Sequence, residues 1–370
     1  MSRVAQALIM AGGTGGHIFP GLAVAQGLKQ RGWQVHWLGG EPPSMESDLV
    51  PKAGFQYHPL NFKGVRGKGF MRMLSAPFAV VKALASSIQI IRSIKPQVVL
   101  GFGGYMSLPG GLASFLCRVP LVLHEQNAKA GMANVFLSKL TPLRYSAFPN
   151  ALKQGQWIGN PLRHAFTQAQ APLVRYADKR GSLKLLVVGG SLGAKALNEV
   201  VPQALALMPE ATRPWVTHQS GAKQIQALEE AYKSAGVQAT LLPFIDDMAS
   251  ALSEVDVVIS RAGASTVTEI AAVGVASLLV PFPFAVDDHQ TANAAFLVSQ
   301  QAAWLCQQDA LSPAWLAKWL SALDREQLSK VAQNAYAQKS LEAVEVLCGV
   351  CQAQLGSSSP DGSTHVRSGT

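Results

Sequence analysis

The 370-residue sequence predicts an α/β protein of two doubly wound, parallel-sheet domains, and three observations carry that expectation. Short continuous apolar runs, the mark of strands buried on both faces, alternate with helical patterns. Two of these runs open into similar glycine loops, Gly12-Gly13-Thr14-Gly15-Gly16 and Gly189-Gly190-Ser191-Leu192-Gly193, which makes the halves a weak internal repeat. The charge also divides with the halves. Residues 1–163 hold 17 Lys and Arg against four acids, a balance of +13, whereas residues 164–370 hold 14 bases against 18 acids, or −4.

In chain order, Ala7–Ala11 reads as the first strand, followed by the glycine loop and a helix from about Pro20 to Arg31 that stops at Gly32. Gln34–Leu38 is the next strand. Phe70–Ser93 is helical, Val98–Leu100 a strand, Gly110–Arg118 helical and Leu121–Leu123 a strand. The pattern breaks near Pro161–Leu183, which sets an N-terminal domain of residues 1–163 against a C-terminal domain of residues 164–355. The second series runs Leu185–Val188, the glycine loop, and a helix over Ala194–Met208. Strands follow at Trp215–His218, Ala239–Leu242, Val255–Ile259 and Ser277–Val280. A last helix spans Ala335–Leu355, and residues 356–370, rich in Ser and Gly, are expected to be a disordered tail.

A hydrophobic share of 48% with 14% charged residues excludes disorder, collagen and coiled coil. Cys117, Cys306, Cys348 and Cys351 are too few for a disulfide scaffold and read as reduced thiols of a cytosolic protein. Cys348 and Cys351 lie in the late helix with no βαβ pattern around them, so they read as small buried hydrophobes rather than a redox pair. The apolar run after Arg3 is too short for a signal peptide, and the uncharged stretch Val98–Cys117 is broken by Gly101, Gly103, Gly104, Pro109, Gly110 and Gly111. The chain reads as soluble, with a basic half that asks for an anionic partner.

Gly12–Gly16 follows a strand and opens a helix, where backbone N–H groups and the helix dipole favour a phosphate. It is not the dinucleotide spacing, and no acid ends the second strand to hold a ribose. His17 stands at the loop–helix junction and suits a general base, or caps the turn locally. Gly189–Gly193 repeats the cradle; Ser191 there caps the helix or donates to a phosphate. Arg261-Ala262-Gly263-Ala264-Ser265-Thr266-Val267-Thr268-Glu269 is a third strand-to-helix junction, in which Ser265 and Thr266 suit capping. Glu269 can accept both hydroxyls of a ribose diol or offset a helix dipole. In Pro281–Ala294 the amides Gln290 and Asn293 suit sugar hydroxyls or an ordinary polar loop, and His124-Glu125-Gln126-Asn127 is a similar polar cluster at a sheet edge. No Asp-x-Asp, His-Glu-x-x-His or Cys/His quartet argues for a metal, and no cofactor is implied. Phe70, Met71, Met73, Leu74, Phe78, Val81, Leu84, Ile88 and Ile91 recur at helical spacing, with Lys63, Arg66, Lys68, Arg72 and Lys82 around them. That stretch serves either as a face for an anionic bilayer or as a core-facing helix.

Taken together, Gly12–His17, Gly101–Tyr105, His124–Asn127, Gly159–Arg163, Gly189–Ala194, Phe244–Met248, Arg261–Glu269 and the His289-Gln290-x-x-Asn293-Ala294 run resemble the MurG family of peptidoglycan glycosyltransferases, over all but the tail. The resemblance implies a GT-B fold with the site in the cleft between two Rossmann-like domains. It implies inverting transfer of N-acetylglucosamine from UDP-N-acetylglucosamine to the C4 hydroxyl of a muramyl sugar on undecaprenyl diphosphate, at the cytoplasmic face of the inner membrane. Ile245 and Arg163 would contact the uracil, Glu269 the ribose, and Ser191 with the helix start Ala264, Ser265, Thr266, Val267 and Thr268 the diphosphate. Gln290 and Asn293 would read the sugar, while Thr14, Gly15, Gly16 and Asn127 reach in from the other domain. His17 and Glu125 are the catalytic candidates, and His17 either takes the acceptor proton or binds the lipid diphosphate. The basic half would meet anionic headgroups and the lipid diphosphate, with Phe115 added to the apolar patch, and other cell-wall synthesis proteins are candidate partners. The rival readings are another GT-B enzyme, such as a glycolipid synthase or a UDP-sugar 2-epimerase, and a non-catalytic nucleotide-sugar or nucleic-acid binder. Amides rather than carboxylates on the sugar side disfavour an epimerase. The absence of interleaved aromatic and basic runs disfavours a nucleic-acid binder.

Overall fold

The computed structural model describes residues 4–62, 70–190 and 193–356, and it places two parallel sheets side by side. The first unit runs β1 Gln6–Met10, α1 Gly15–Gln30, β2 Gln34–Gly40, α2 Met45–Lys52, β3 Gln56–Leu60 and α3 Phe70–Ile94. It continues with β4 Val98–Gly101, α4 Ser107–Leu116, β5 Leu121–Glu125, α5 Met132–Leu137, β6 Arg144–Ser146 and β7 Gln156–Trp157. The second unit opens with α6 His164–Thr167, α7 Pro172–Ala177, β8 Lys184–Val188, α8 Lys195–Ala206, β9 Trp215–Gln219 and α9 Ile225–Ala235. Then follow β10 Thr240–Leu242, α10 Met248–Glu254, β11 Val257–Ser260, α11 Ala264–Val273, β12 Ala276–Leu279 and α12 His289–Val298. The chain ends in β13 Trp304–Leu305, α13 Pro313–Ser321, α14 Arg325–Ala337 and α15 Ala343–Gly356.

The strand orders are β3-β2-β1-β4-β5-β6-β7 and β10-β9-β8-β11-β12-β13, parallel throughout. Both orders reverse beside their first strand, between β1 and β4 and between β8 and β11. Such a switch point leaves a crevice at the strands' carboxyl ends, where ligands bind. Strand period two explains why these strands read as unbroken apolar runs. Ala7 and Ile9 enter one layer with Val24 and Leu28 of α1, while Leu8 and Met10 enter the opposite layer with Ile91 and Ala113. In the second unit Leu185 and Val187 face α8, and Leu186 and Val188 face α11.

Three boundaries differ from the sequence reading. α1 begins at Gly15 rather than near Pro20, which sits inside the helix. Pro20 reads as a helix start because proline favours the first turn, and Gly15 and Gly16 read as loop, which hid the true start. The late helix Ala335–Leu355 is two helices, parted at 338–342, where the Ser340 hydroxyl donates to the Ile158 carbonyl at 2.6 Å. The segment expected within a C-terminal domain of 164–355 then divides: α15 crosses back and packs on α1, burying Leu347, Cys348 and Cys351 against the first sheet's layer. Both thiols are free, and burial pushes the Cys348 thiol up to about 11. The tail expectation for 356–370 lies outside the described residues beyond Gly356.

α3 also divides its duties. Ile91 is buried and Leu84 and Ile88 pack on the core, whereas Phe78 and Val81 are 76% and 62% exposed beside exposed Lys82. The other cations of that stretch, and the side chains of Phe70, Met71, Met73 and Leu74, lie outside the described residues. Among the described residues no helix is long and apolar enough to cross a membrane.

Candidate functional site

A cavity of about 1360 Å³ opens between the two sheets, walled by the loops that follow β1, β4, β5, β8, β11 and β12. Two glycines permit its shape. Gly104, at φ +81°, lies so close to the β1 loop that a Cβ would stand 2.6 Å from the Gly12 carbonyl oxygen. Gly193, at φ +77°, would put one 2.0 Å from the Ser220 carbonyl oxygen. Any other residue would push these loops apart.

On the first wall, α1 starts at Gly15 with Thr14 in the N-cap position, so Gly15 and Gly16 offer helix-start N–H groups to the cleft. His17 Nδ1 lies 3.3 Å from the Gly12 carbonyl oxygen and 3.2 Å from Thr14 Oγ1. A carbonyl can only accept, so Nδ1 carries the proton and Nε2 keeps its lone pair against Gly103. Burial holds the imidazole's pKa below its ordinary value, while the nearby Glu125 and the Gly12 carbonyl pull the other way. The ring is therefore neutral at neutral pH, with its basic nitrogen in the cleft.

Glu125 is 2% exposed and fully engaged. Its Oε1 accepts from the Asn127 N–H at 2.9 Å and the Asn127 side-chain amide at 3.3 Å, and its Oε2 from the Gly131 N–H at 3.1 Å and Asn134 Nδ2 at 2.8 Å. A carboxylate with four donors organises the 126–134 loop and supplies negative charge near His17. Its neighbour His124 belongs to the interior: Nε2 donates to the Gly159 carbonyl, Nδ1 accepts from Gln126, and burial depresses the imidazole to about 4. Glu46, which the sequence reading counted only as a charge, is fully buried. It accepts from the Gly40 N–H at 3.1 Å and the Gly13 N–H at 3.3 Å, bolting the β1 loop to the end of β2. The scarcity of acids in a strongly basic half was the available clue.

On the second wall, α11 is N-capped by Gly263 with no side-chain cap, so Ser265 and Thr266 do not cap it as expected. The N–H groups of Ala264, Ser265 and Thr266 line the cleft at the helix start without intrahelical acceptors, and the buried Ser265 hydroxyl has no partner among the described residues. Glu269, one turn on, also faces the cavity, and burial raises its carboxyl to about 7 against the opposing pull of Arg163. Arg163 donates to the Asp246 carbonyl at 3.3 Å and stacks on Phe19 and Phe166, which fixes it beside Ile245. Gln219 Nε2 donates to the carbonyls of Gly190 and Pro243, at 3.0 and 3.1 Å, tying the second glycine loop to the loop that carries Ile245. Gln290 lines the cleft and is held there by its Oε1, which accepts from the N–H groups of Ala262 and Phe282.

Three expected contacts fall elsewhere. Val267 is buried in the core, and the Thr268 hydroxyl bonds back to the Ala264 and Ser265 carbonyls while accepting from Asn160. Asn293 is wholly buried and its amide is spent. Oδ1 accepts the Ala128 N–H at 2.8 Å, and Nδ2 donates to the Ala262 carbonyl and to Asn127 Oδ1 at 3.1 and 3.3 Å. It joins the two walls instead of facing the space between them. Ser191 lies outside the described residues.

Residues 7–142 match the glycosyltransferase family 28 N-terminal domain and residues 184–347 its C-terminal domain. The chain is 55% identical, over 95% of its length and 99% of the relative's, to the UDP-N-acetylglucosamine--N-acetylmuramyl-(pentapeptide) pyrophosphoryl-undecaprenol N-acetylglucosamine transferase of Polaromonas naphthalenivorans (strain CJ2). It is 53% identical to the protein of the same name from Bordetella pertussis (strain Tohama I), covering 93% of this chain and 96% of that one. Among solved structures, Acinetobacter baumannii MurG superposes with a TM-score of 0.82 at 40% identity, covering 94% of this chain and 99% of that one. The kitacinnamycin glycosyltransferase, at 16% identity and a TM-score of 0.64 over 95% and 99% of the two chains, shares the GT-B architecture alone. The cleft and its two sheets are thus those of a GT-B enzyme, and the chain belongs to glycosyltransferase family 28, in its MurG branch.

Proposed function

We propose that the chain transfers N-acetylglucosamine from UDP-N-acetylglucosamine to the C4 hydroxyl of the muramyl sugar of undecaprenyl-diphosphate-linked muramyl-pentapeptide, with inversion at the sugar's anomeric carbon. The observation that carries this reading is identity above 50% over nearly the whole chain to enzymes named for that reaction. The cleft chemistry supports it. The uracil stacks between the Ile245 backbone and Arg163, and Glu269 receives the ribose hydroxyls. The diphosphate takes the free N–H groups of Ala264, Ser265 and Thr266 together with the loop around Ser191. Gln290 Nε2 donates to a sugar hydroxyl. Thr14, Gly15 and Gly16 close over the sugar from the first wall, with Asn127 positioned by Glu125.

In the reaction the C4 oxygen attacks the anomeric carbon as its proton passes to His17 Nε2, and the bond from that carbon to the β-phosphate oxygen breaks. UDP leaves with the electron pair, and the proton leaves His17 to water. Donors at the α11 start stabilise the charge that grows on the diphosphate. Base and leaving group stand on opposite walls, which is the geometry of inversion.

Membrane association from the cytoplasmic side fits the same reading. Exposed Phe78, Val81, Phe115 and Leu116, with Lys82 and Arg118 beside them in sequence, belong to a half that carries +13.

The test is label transfer from radiolabelled UDP-N-acetylglucosamine with and without the lipid-linked muramyl-pentapeptide. Labelled lipid only when that acceptor is present supports the reading. Donor binding without a lipid product moves the assignment to another GT-B acceptor.

A further inference from the structure

Part of the cleft's lining, its apolar arm, differs in character from the polar loops around it. Leu49 of α2, Phe62 after β3, Leu108 and Leu112 of α4, and Met132 and Phe136 of α5 line its first-wall side. Leu108 and Leu112, and likewise Met132 and Phe136, stand four residues apart on their helices, so each pair presents one face. α4 and α5 pack together, with Gly111 against Leu137. The result is two apolar rails that start beside Gly103, Gly104 and Tyr105, next to His17. The rails do not close. Met132 is 63% and Phe136 47% exposed, so the same side chains line the arm and reach the surface, where Phe115 and Leu116 at the end of α4 are 53% and 58% exposed.

Neither a nucleotide sugar nor a muramyl sugar offers an apolar surface that would need such a lining. Apolar area left facing water without an apolar occupant is a cost. The acceptor named for the relatives carries a polyprenol joined through a diphosphate to the sugar that reacts. We propose that the arm receives the first isoprene units of the acceptor's own polyprenyl chain, an inference that rests on the lipid-acceptor reading above. The chain would leave the bilayer near Phe115 and Leu116 and run between α4 and α5. Its diphosphate and muramyl sugar would then be held at the glycine loops, with the C4 hydroxyl at His17. The arm thereby selects a prenylated diphosphate over a chainless one, independently of any membrane.

The experiment uses the full chain in buffer without detergent or vesicles, with saturating UDP-N-acetylglucosamine and muramyl-pentapeptide diphosphates bearing methyl, geranyl or farnesyl groups. Acceptor KM should fall by about tenfold or more from methyl to geranyl, as burial of an isoprene chain requires, and change little on going to farnesyl. In the Leu108→Asn/Leu112→Asn double variant, and separately in Phe136→Ser, that methyl-to-geranyl ratio should collapse toward one, while UDP-N-acetylglucosamine binding confirms that each variant is folded. A diazirine on the first isoprene unit should label peptides of α4 and α5 in the unmodified chain, a readout that needs no variant. Equal KM for all three acceptors overturns the proposal, and so does a chain preference that appears only when phospholipid vesicles are added, which is the bilayer's own effect. Labelling confined to α3 overturns it equally. Failure to transfer sugar to any of the three would instead sink the lipid-acceptor reading, and the proposal with it.

Discussion

The two walls of the cleft solve opposite problems with the same kind of loop. On the α11 wall, polar groups are left unpaired among the described residues: three helix-start N–H groups, the Ser265 hydroxyl and a Glu269 carboxyl raised to about 7. On the α1 wall, the charged side chains are consumed internally, although the helix-start N–H groups of Gly15 and Gly16 and, among the described residues, the amide oxygens of Gln126 and Asn134 stay unpaired. Glu125 accepts four hydrogen bonds, Glu46 two, and His124 uses both nitrogens, which leaves His17 Nε2 with its lone pair against Gly103. An unpaired buried polar group is a standing cost that a ligand relieves. In the proposed reading, the α11 wall takes the hydrophilic, doubly charged donor, and the α1 wall the amphiphilic acceptor and a single proton transfer.

The sharpest way to break this contrast is at His17. His17→Ala should lower kcat by about 10²- to 10⁴-fold, the range of a lost general base, and leave donor KM nearly unchanged. Equal loss of kcat/KM through donor KM alone would place His17 in donor binding. Burial holds the His17 pKa below 6.5, and the base works neutral. The rate is then flat above pH 6.5 and falls as pH drops through that lowered value. Glu125 is the next test. Its charge raises the His17 pKa, so Glu125→Gln should move the acid limb of the kcat profile to still lower pH. The same change faces an amide N–H₂ group against donors and should cost about 1–3 kcal/mol of stability in thermal unfolding. A proton-transfer role for Glu125 itself would remove the acid limb altogether.

On the opposite wall the expected effect is smaller and opposite in sign for stability. In the proposed reading Glu269 binds the ribose hydroxyls as a carboxylate, yet its folded pKa of about 7 stands above the ordinary carboxyl value. Donor binding should therefore release protons near pH 7 and weaken as pH falls below it, and Glu269→Gln should bind about tenfold less tightly at pH 8 with little pH dependence. The raised pKa means that the folded state binds more protons than the unfolded chain between about pH 4.5 and 7. Stability from this group is thus lost as pH rises through that window. Glu269→Gln should be more stable than the unmodified chain at pH 8, by about 1–2 kcal/mol after allowance for partial exposure, and no more stable near pH 4. A variant that gains stability while losing donor affinity marks the carboxylate as held for function.

Most of the fold was legible because fully buried parallel strands cannot hide: Ala7–Met10, Val98–Leu100, Leu185–Val188 and Val257–Ile259 are unbroken apolar runs and are all wholly or nearly wholly buried. Half-exposed pieces such as β3, whose Gln56–Leu60 includes Pro59 and His58, and the short β6 and β7, carry no such run and went unread. The site was legible where it depends on backbone, since a glycine loop after a strand announces itself. It was not legible where a side chain's partner is distant in sequence. Nothing local distinguishes Glu46, bound to Gly13 and Gly40, from a solvated acid of a helix start. The crossing of α15 was hidden for the same reason. An amphipathic helix declares that it has a buried face but not which sheet receives it.

Asn293 is the residue on which the walls meet, and it carries the smallest of these effects and the most pointed choice. The resemblance assigns its amide to a sugar hydroxyl; the structure spends it on the Ala128 N–H, the Ala262 carbonyl and Asn127. Asn293→Ala leaves the Ala128 N–H without its acceptor, worth about 1–2 kcal/mol, and loosens one wall from the other. If Asn293 acts as this latch, UDP and UDP-N-acetylglucosamine should lose affinity by the same factor, about two- to fivefold, because each closes the same cleft. If it reads the sugar, titration calorimetry should show UDP binding intact and only UDP-N-acetylglucosamine weakened. The two ligands differ by the sugar alone, so their ratio reports the contact directly and cancels any general loss of rigidity. An unchanged ratio leaves Asn293 as the latch; a changed one means that the amide must first leave Ala128, and that donor binding reopens the very contact that joins the walls.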